Sequence, residues 1–256
     1  MEPIKYRAFN PGTINSPEFM NPSSWLQSKV TPFSEDMVSA LMVTRGDIGR
    51  VANSVKSFAR QTWNNKELVI VADGLTDQLI RAIDDARGAA SVRIFEAPRL
   101  LGLGDLRNYS VARAQGEFIC QWDDDDLYDK ERIKASLMIL KEANADAVFL
   151  SQWLLYDQLR SVLALSNRRI WEGTMLAKRS CIPVYPSLPK EEDTLMVAMQ
   201  LKYAKVATFA APTLYAYCRT GANTWGDAYF SRLFDLSEKV FSNEEALKIL
   251  SHLTVN

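Results

Sequence analysis

Four consecutive aspartates, Asp123 to Asp126, are the residues of this chain whose type and spacing best fit metal chemistry. They follow an apolar segment, residues 116–122, that is typical of a buried strand. Because adjacent carboxylates repel one another, a fold that gathers them beside a hydrophobic strand needs a compensating cation. In an extended stretch alternate side chains share one side, which places Asp123 and Asp125 together as oxygen ligands for Mg²⁺ or Mn²⁺. Such a metal can hold a diphosphate, whereas a solvated acidic turn is the alternative.

Composition and charge argue against several functional classes. A chain of 256 residues with 47% hydrophobic and 24% charged residues indicates a folded protein with a real core. The formal net charge of -1, without a Lys- or Arg-rich run, argues against nucleic acid as a partner. The chain has one histidine, His252, which argues against a histidine triad or a histidine-rich zinc site.

The cellular compartment is suggested by the cysteines and by the apolar segments. The three cysteines show no metal-ligand spacing, and we expect a reducing environment. No stretch approaches the roughly 20 apolar residues of a membrane span, and the first residues lack the basic-then-apolar order of a signal peptide. We therefore expect a cytoplasmic protein.

Strands and amphipathic helices alternate from residue 37 onward, and this order predicts a mostly parallel sheet covered by helices on both faces. The predicted strands are 38–44, 67–71, 92–95 and 116–122, and the predicted helices are 48–60, 76–87 and 103–114. Ligands of such sheets bind beyond the carboxyl ends of the strands. Polar residues follow three of these strands: Thr44 to Asp47, Asp73 with Gly74, and the aspartate run.

The rest of the chain is less regular. Helices are predicted at 130–142 and 192–203, and strands at 147–150, 174–177, 206–210 and 213–218. Residues 1–36, rich in Pro, Asn and Ser, predict an irregular N-terminal arm. Residues 231–256 predict a C-terminal helical tail, whose amphipathic but not basic segment favours packing or a homodimer over lipid binding.

Five segments of the chain occur in an order and spacing that resemble one known family. They are VSALMVTRGD, FARQTWNNKELVIVADGLTD, GDLRNYSVARAQGEFICQWDDDDLYDKERI, WEGTMLAKR, and KEEDTLMVAM with CRTGANTW beyond it. Together they are similar to the nucleotide-sugar-dependent glycosyltransferases of the GT-A fold, family 2. The resemblance implies a GT-A (Rossmann-like) domain over residues 37–230, a UDP-sugar donor and bound Mn²⁺ or Mg²⁺.

The resemblance assigns donor contacts to residues that follow the first two strands. Asp73 matches the aspartate that contacts uracil. A carboxylate can accept a hydrogen bond from the imide N–H of this base. An Asx turn is the alternative, because Asp-Gly is a common turn dipeptide. Ala72 stands where the family commonly has another acidic residue. Thr44 and Arg45 match the stretch beside the base and ribose, and for Arg45 a plain surface role is equally open.

Arg107 and Asn108 match the family's Arg-Asn pair. A guanidinium there can bind the diphosphate through paired N–H donors, and a helix-surface arginine is the alternative. Arg219 can bind phosphate from a mobile loop, although Thr220 replaces a histidine of many relatives and so puts metal affinity in doubt.

The aspartate run occupies the family's Asp-x-Asp position. Within the run, the resemblance favours Asp125 as the direct metal ligand and Asp123 as a contact of the metal or of the ribose. Asp124 is assigned to the donor site, and Asp126 to contact with the sugar or with a metal ligand.

Acceptor chemistry is assigned to two later segments. Asp193, with Glu192 beside it, matches the family's Glu-Asp motif, and an inverting transfer needs a base to take the acceptor proton. Acids at a helix N-terminus also complement the helix dipole without doing chemistry. Trp171, Gly173 and Trp225 are expected around the acceptor sugar, with a buried core position as the alternative for Trp171.

The predicted function is an inverting transfer of sugar from a UDP-sugar to a hydroxyl of a growing glycan, in bacterial surface polysaccharide synthesis. A lipid-linked acceptor would place the protein at the inner face of the cytoplasmic membrane. A carbohydrate-binding or scaffold protein without turnover is one alternative. A sugar nucleotidyltransferase is another, but it needs a Gly-rich loop after the first strand that this chain lacks.

Overall fold

The main sheet of the molecule has eight strands. The computed structural model describes residues 7–9 (backbone only), 36–98 and 101–254. Numbered along the chain, the strands lie in the spatial order β1 (Arg7–Phe9), β11 (Val206–Phe209), β7 (Ala147–Leu150), β10 (Leu176–Lys178), β5 (Phe118–Gln121), β2 (Val38–Thr44), β3 (Lys66–Ala72) and β4 (Val92–Glu96). Neighbours within this order pair in parallel except around β10, which is antiparallel to β5 and to β7. The predicted mostly parallel sheet is therefore confirmed.

Helices cover both faces of this sheet. They are α1 (Ile48–Ala59), α2 (Asp77–Arg87), α3 (Leu103–Arg113), α4 (Arg132–Glu142) and α5 (Glu192–Tyr203). Strand β2 shows how the sequence sorts its side chains: Ala40 and Met42 pack on the side of α1, α2 and α4, whereas Leu41 packs on the side of α3. This alternation follows from the two-residue period of a strand, and it buries both faces.

Local caps explain where two of these helices begin. The Asp47 side chain accepts a hydrogen bond from the Arg50 N–H at the start of α1. Thr76 does the same for the Leu79 N–H at the start of α2. Asp and Thr are favoured at this position because their side-chain oxygens satisfy amide groups that the helix leaves unpaired.

A second sheet of five strands, which the sequence did not predict, lies beside the first. Its spatial order is β13 (Lys239–Val240), β9 (Val162–Leu165), β8 (Leu154–Asp157), β12 (Tyr215–Arg219) and β6 (Leu127–Tyr128). Residues 213–218 were predicted as one strand, but residues 212–214 form a 3-10 turn and the strand continues to Arg219. Likewise Thr174 belongs to a 3-10 turn, and β10 begins at Leu176.

The C-terminal region belongs to this second sheet. Helix α6 (Asp227–Asp235) runs across the predicted boundary at residue 230, β13 pairs with β9, and α7 (Asn243–Leu253) packs on β8 and β9. The predicted helical tail therefore also contains a strand. The predicted N-terminal arm lies outside the described residues, except for β1, which is a strand, and Asp36. Within the described ranges, every helix is too short or too polar to cross a membrane.

Candidate active site

The aspartate run forms a turn between the two sheets, because it connects β5 of the first to β6 of the second. Trp122 stacks on Tyr128 with ring centroids 3.8 Å apart, and its indole N–H donates to Ser54 Oγ at 2.9 Å. The Tyr128 hydroxyl bonds to the backbone N–H of Asp123 at 2.6 Å. These buried aromatic contacts fix the turn and leave three of its carboxylates partly exposed.

The three partly exposed carboxylates have different partners. Asp123 Oδ1 accepts from Gln121 Nε2 at 2.9 Å and lies 3.4 Å from Arg107 Nη1. Asp124 Oδ2 accepts a hydrogen bond from the Thr44 hydroxyl. Asp125 Oδ2 accepts from the side-chain amide of Asn223 at 2.8 Å.

Electrostatics at the run favour a bound cation. Burial, reinforced by the charges of Asp123 and Asp124, raises the pKa of Asp125 to about 7. Burial also raises the pKa of Asp124, against the hydrogen bond from Thr44 and the charge of Arg50. A raised carboxyl pKa means that the negative charge is unfavourable as it stands, and a cation placed there would relieve it. The residues that line a cavity of about 170 Å³ beside the run include Arg50, Asn53, Asp124, Asp125, Asp126, Thr220 and Leu253.

Asp126 is the buried carboxylate of the run. It is 4% exposed, its Oδ1 accepts from the Cys218 N–H at 2.9 Å, and its Oδ2 accepts from the Tyr215 hydroxyl. Both oxygens are thus used inside the protein, and the side chain connects the run to β12. Asp126 also borders the cavity beside the run, and its contact with a sugar or a metal ligand stays a prediction.

The loops after β2 and β3 lie side by side at the carboxyl edge of the sheet. The Asp73 N–H donates to the Thr44 carbonyl at 2.8 Å, and the Thr44 hydroxyl accepts from the Gly46 N–H at 3.0 Å. A Cβ on Gly46, which has φ of 84°, would lie 3.2 Å from the Gly74 carbonyl oxygen. The side chains of Arg45 and Asp73 are exposed at this edge, so both remain candidates for contact with a nucleotide.

Arg107 joins the aspartate run to the start of α5. The guanidinium is 9% exposed, and its Nε donates to Glu192 Oε1 at 2.7 Å while Nη1 faces Asp123. Glu192 is 2% exposed, and burial raises its pKa against the attraction of Arg107. The buried ion pair ties Glu192 to structure, whereas the neighbouring Asp193 is partly exposed in the first turn of α5. The alternative for Arg107, a helix-surface position, is wrong.

Asn108 holds a loop in place. Its Nδ2 donates to the Tyr185 carbonyl at 2.8 Å, and its Oδ1 accepts from the Tyr185 N–H at 2.9 Å. This two-bond clamp fixes the segment that leads into α5. The amide is engaged with the backbone here, and its donor contact stays a prediction.

Trp171 and Gly173 lie in the core. Trp171 is 9% exposed and stacks on Trp153 with centroids 4.9 Å apart. A Cβ on Gly173 would lie 2.7 Å from the Tyr215 hydroxyl, and the Gly173 carbonyl accepts from Arg132 at 3.1 Å. The core alternative for Trp171 is confirmed, and the expected acceptor contacts of both residues are corrected.

Trp225 remains at the surface of the site. It is partly exposed, stacks on Tyr229 at 4.6 Å, and has the Lys190 ammonium 5.4 Å from its ring centre. Such an aromatic face is suited to a sugar ring.

Arg219 is committed to ion pairs at the end of β12. Its Nη1 is 2.7 Å from Asp157 and its Nη2 is 2.6 Å from Asp227. The side chain is 8% exposed. Both guanidinium ends bind carboxylates that anchor the loop following β12, and the phosphate contact stays a prediction.

Three polar side chains near the site were not assigned from the sequence. Arg50 on α1 donates to Thr220 Oγ1 at 3.4 Å, and Asn223 bonds Asp125. Glu172 lies near enough to Asp193 for that charge to raise its pKa, after the larger effect of burial. The sequence contains little indication of these three residues. Asn223 and Glu172 fall within the segments that resemble the family, but Arg50 falls outside all of them.

Comparison with known proteins gives a family match and two kinds of relative. The family described as Glycosyl transferase family 2 matches residues 39–173, more than half of the chain. The chain is 28% identical over 103 residues to the cholesterol galactosyltransferase of Borreliella burgdorferi, covering 40% of this chain and 28% of that protein. It is 25% identical over 115 residues to the poly(ribitol-phosphate) beta-N-acetylglucosaminyltransferase TarS of Staphylococcus aureus, covering 44% of this chain and 20% of TarS.

Solved structures support the fold. S. aureus TarS 1-349 in complex with UDP matches with a TM-score of 0.58 at 17% identity, over 84% of this chain and 69% of that one. The mannosyltransferase PcManGT from Pyrobaculum calidifontis, in complex with GDP-Man and Mn²⁺, matches with a TM-score of 0.55 at 14% identity, over 82% and 66%. This chain spans less than a third of the length of the two curated relatives. From the family match and the sheet topology together, the chain belongs to glycosyltransferase family 2 and has the GT-A fold.

Proposed function

We propose that this chain transfers a sugar from a UDP-sugar to a hydroxyl acceptor, with inversion and with the help of a divalent metal. The observation that carries the proposal is the ionic connection through Arg107, which places the aspartate run and the Glu192–Asp193 pair at one edge of the sheet. A transferase needs this proximity, because the donor diphosphate and the acceptor base must face the same anomeric carbon.

The residues fit Mn²⁺ or Mg²⁺. The described part of the chain contains no group of three or more His, Cys, Asp or Glu side chains placed to hold a metal ion. Mg²⁺ is commonly bound by one or two carboxylates together with substrate phosphates, and the raised pKa of Asp125 supports a cation at this place. Asp125 and Asp123 would hold the ion, which when bound offsets charge on the leaving diphosphate.

The acceptor side is assigned to Asp193. It is partly exposed at the positive end of the α5 dipole, whereas Glu192 is buried against Arg107. Asp193 takes the proton from the acceptor hydroxyl as it attacks, and Glu192 acts as a positioning residue. Trp225 offers its face to the acceptor sugar.

The donor and acceptor classes are drawn from relatives. TarS structures contain UDP and UDP-GlcNAc, which supports a UDP-linked hexose or N-acetylhexosamine as donor. We propose that the acceptor is a glycan or a lipid-linked molecule. The role we propose for the protein is surface polysaccharide synthesis on the cytoplasmic face of the membrane.

The first test is thermal unfolding with UDP, GDP or CMP, each with and without Mn²⁺. A ligand at about 100 times its dissociation constant stabilises a fold by roughly 2.7 kcal/mol, so we expect a clear shift with UDP plus Mn²⁺ only. A flat result for all nucleotides would contradict the proposed donor site.

The second test is Asp193→Asn, assayed for sugar transfer and for UDP binding. We expect transfer to fall by at least 100-fold, because the amide cannot accept the proton. UDP affinity should stay within about twofold of wild type. Retained transfer would remove Asp193 from the role of base.

A further inference from the structure

Asn223 is the residue that joins the aspartate run to the loop 220–226, which leads from β12 to α6. Its Nδ2 donates to Asp125 Oδ2 at 2.8 Å and to the Cys218 carbonyl at 2.9 Å. Its Oδ1 accepts from the Thr220 N–H at 2.8 Å. One amide thus holds the turn of the loop together and at the same time fixes one oxygen of the candidate metal ligand.

The loop itself has other anchors. Arg219 pairs with Asp157 before it and with Asp227 after it, and Arg50 donates to Thr220 from α1. The loop is therefore held near the sheet by other contacts as well, and the contact between Asn223 and Asp125 adds to them. Its distinct effect is on the orientation of the Asp125 carboxylate.

A neutral donor is suited to this position for an electrostatic reason. A hydrogen bond to one carboxylate oxygen fixes the plane of the group, as the partners of metal-binding carboxylates commonly do. An ammonium or guanidinium at the same place would also cancel the charge that attracts a cation. The Asn223 amide orients Asp125 and leaves the charge of the run unchanged.

We propose that Asn223 is a positioning residue of the cation site, which presents Asp125 to a divalent metal and couples metal binding to the order of the loop 220–226. The inference rests on the proposed metal at Asp125. Coupling of this kind is reciprocal: a loop that favours the bound orientation of Asp125 raises metal affinity, and bound metal stabilises the loop. The partly exposed Trp225 lies in that loop.

The test is Mn²⁺ binding to the full chain in saturating UDP, followed by electron paramagnetic resonance. Loss of a residue that orients a ligand typically costs 10- to 100-fold in metal affinity, and we expect this loss in Asn223→Ala. The matched control is Thr224→Ala in the same loop, which is exposed and should bind Mn²⁺ within about twofold of wild type. If the alanine variant does not fold, Asn223→Ser replaces it, because a serine is too short to reach Asp125.

Hydrogen exchange of residues 219–226 gives a second readout. We expect Mn²⁺ with UDP to slow exchange in the wild type and to have little effect in Asn223→Ala. Equal Mn²⁺ affinity in the wild type and Asn223→Ala would overturn the positioning role while leaving the proposed function intact. No Mn²⁺ binding by the wild type would instead contradict the metal of the proposed function, and with it this inference.

Discussion

At the scale of single residues, Asp125 is distinguished by its surroundings more than by its type. Its neighbours in the chain are also aspartates, yet burial together with their charges raises its pKa from the usual 3.8 to about 7. A carboxyl group with this pKa holds a proton more firmly in the folded than in the unfolded chain. Its contribution to stability is complete below pH 3.8 and is lost as the pH rises through 7.

The same shift predicts how metal binding depends on pH. A metal must displace the proton, so Mn²⁺ affinity should rise about tenfold per pH unit up to about pH 7 and level off above it. A titration of Mn²⁺ between pH 5.5 and 8, without nucleotide, measures this directly. Asp125→Asn is the control, and it should bind weakly at every pH. Affinity in the wild type that does not change with pH would contradict the raised pKa.

At the scale of elements, the approach of α3 to the segment before α5 sets the place of Asp193. Gly104 in α3 lies so close to this segment that an added Cβ would be 1.8 Å from the Pro186 carbonyl oxygen. The Gly104 N–H also donates to the Leu188 carbonyl at 3.2 Å. Backbone atoms cannot yield as a flexible side chain can, so only glycine allows this contact.

Gly104→Ala should therefore destabilise the protein by about 1–3 kcal/mol and lower transfer activity by moving α5. Gly226→Ala is the matched control, because a Cβ there would meet no atom within 4 Å. Urea unfolding and the transfer assay give the two readouts. Equal stability of the two variants would show that α3 and the segment before α5, residues 182–190, can move apart without loss of free energy of unfolding.

The sequence predicted the first half of the fold well because its elements are strongly periodic. Strands β2 to β5 and helices α1 to α3 all exist where the pattern placed them. It missed β8 and β9, which pair with each other and, in the case of β8, in parallel with the distant β12, because neither segment's own pattern indicates these partners. The same limit applies to Arg219, whose two partners are 62 and 8 residues away along the chain.

At the scale of the whole molecule, the C-terminal region completes a second core. Ile249 and Leu253 of α7 are buried with Leu154, Leu163 and Leu165 of the second sheet. That sheet also carries β12, which leads into the loop 220–226. The C-terminal helix therefore supports the second sheet, and its last residue, Leu253, also lines the cavity beside the aspartate run.

Ile249→Ala should cost about 2–5 kcal/mol of stability, because it leaves a cavity among these leucines. Leu247→Ala, in the same helix but 71% exposed, should change stability by less than about 0.5 kcal/mol. Urea unfolding of both variants measures the difference. An equal effect would mean that α7 is not packed as described.

The burial of Asp126 has a consequence for any attempt to transplant this motif. Its two oxygens bond to the Cys218 N–H and the Tyr215 hydroxyl, groups that lie about ninety residues further along the chain. Through these two bonds Asp126 connects the end of the first sheet to β12 of the second sheet. A peptide or a designed scaffold bearing only residues 116–130 would have the sequence of the motif without its conformation. Grafting it requires the receiving protein to supply a counterpart of β12 as well.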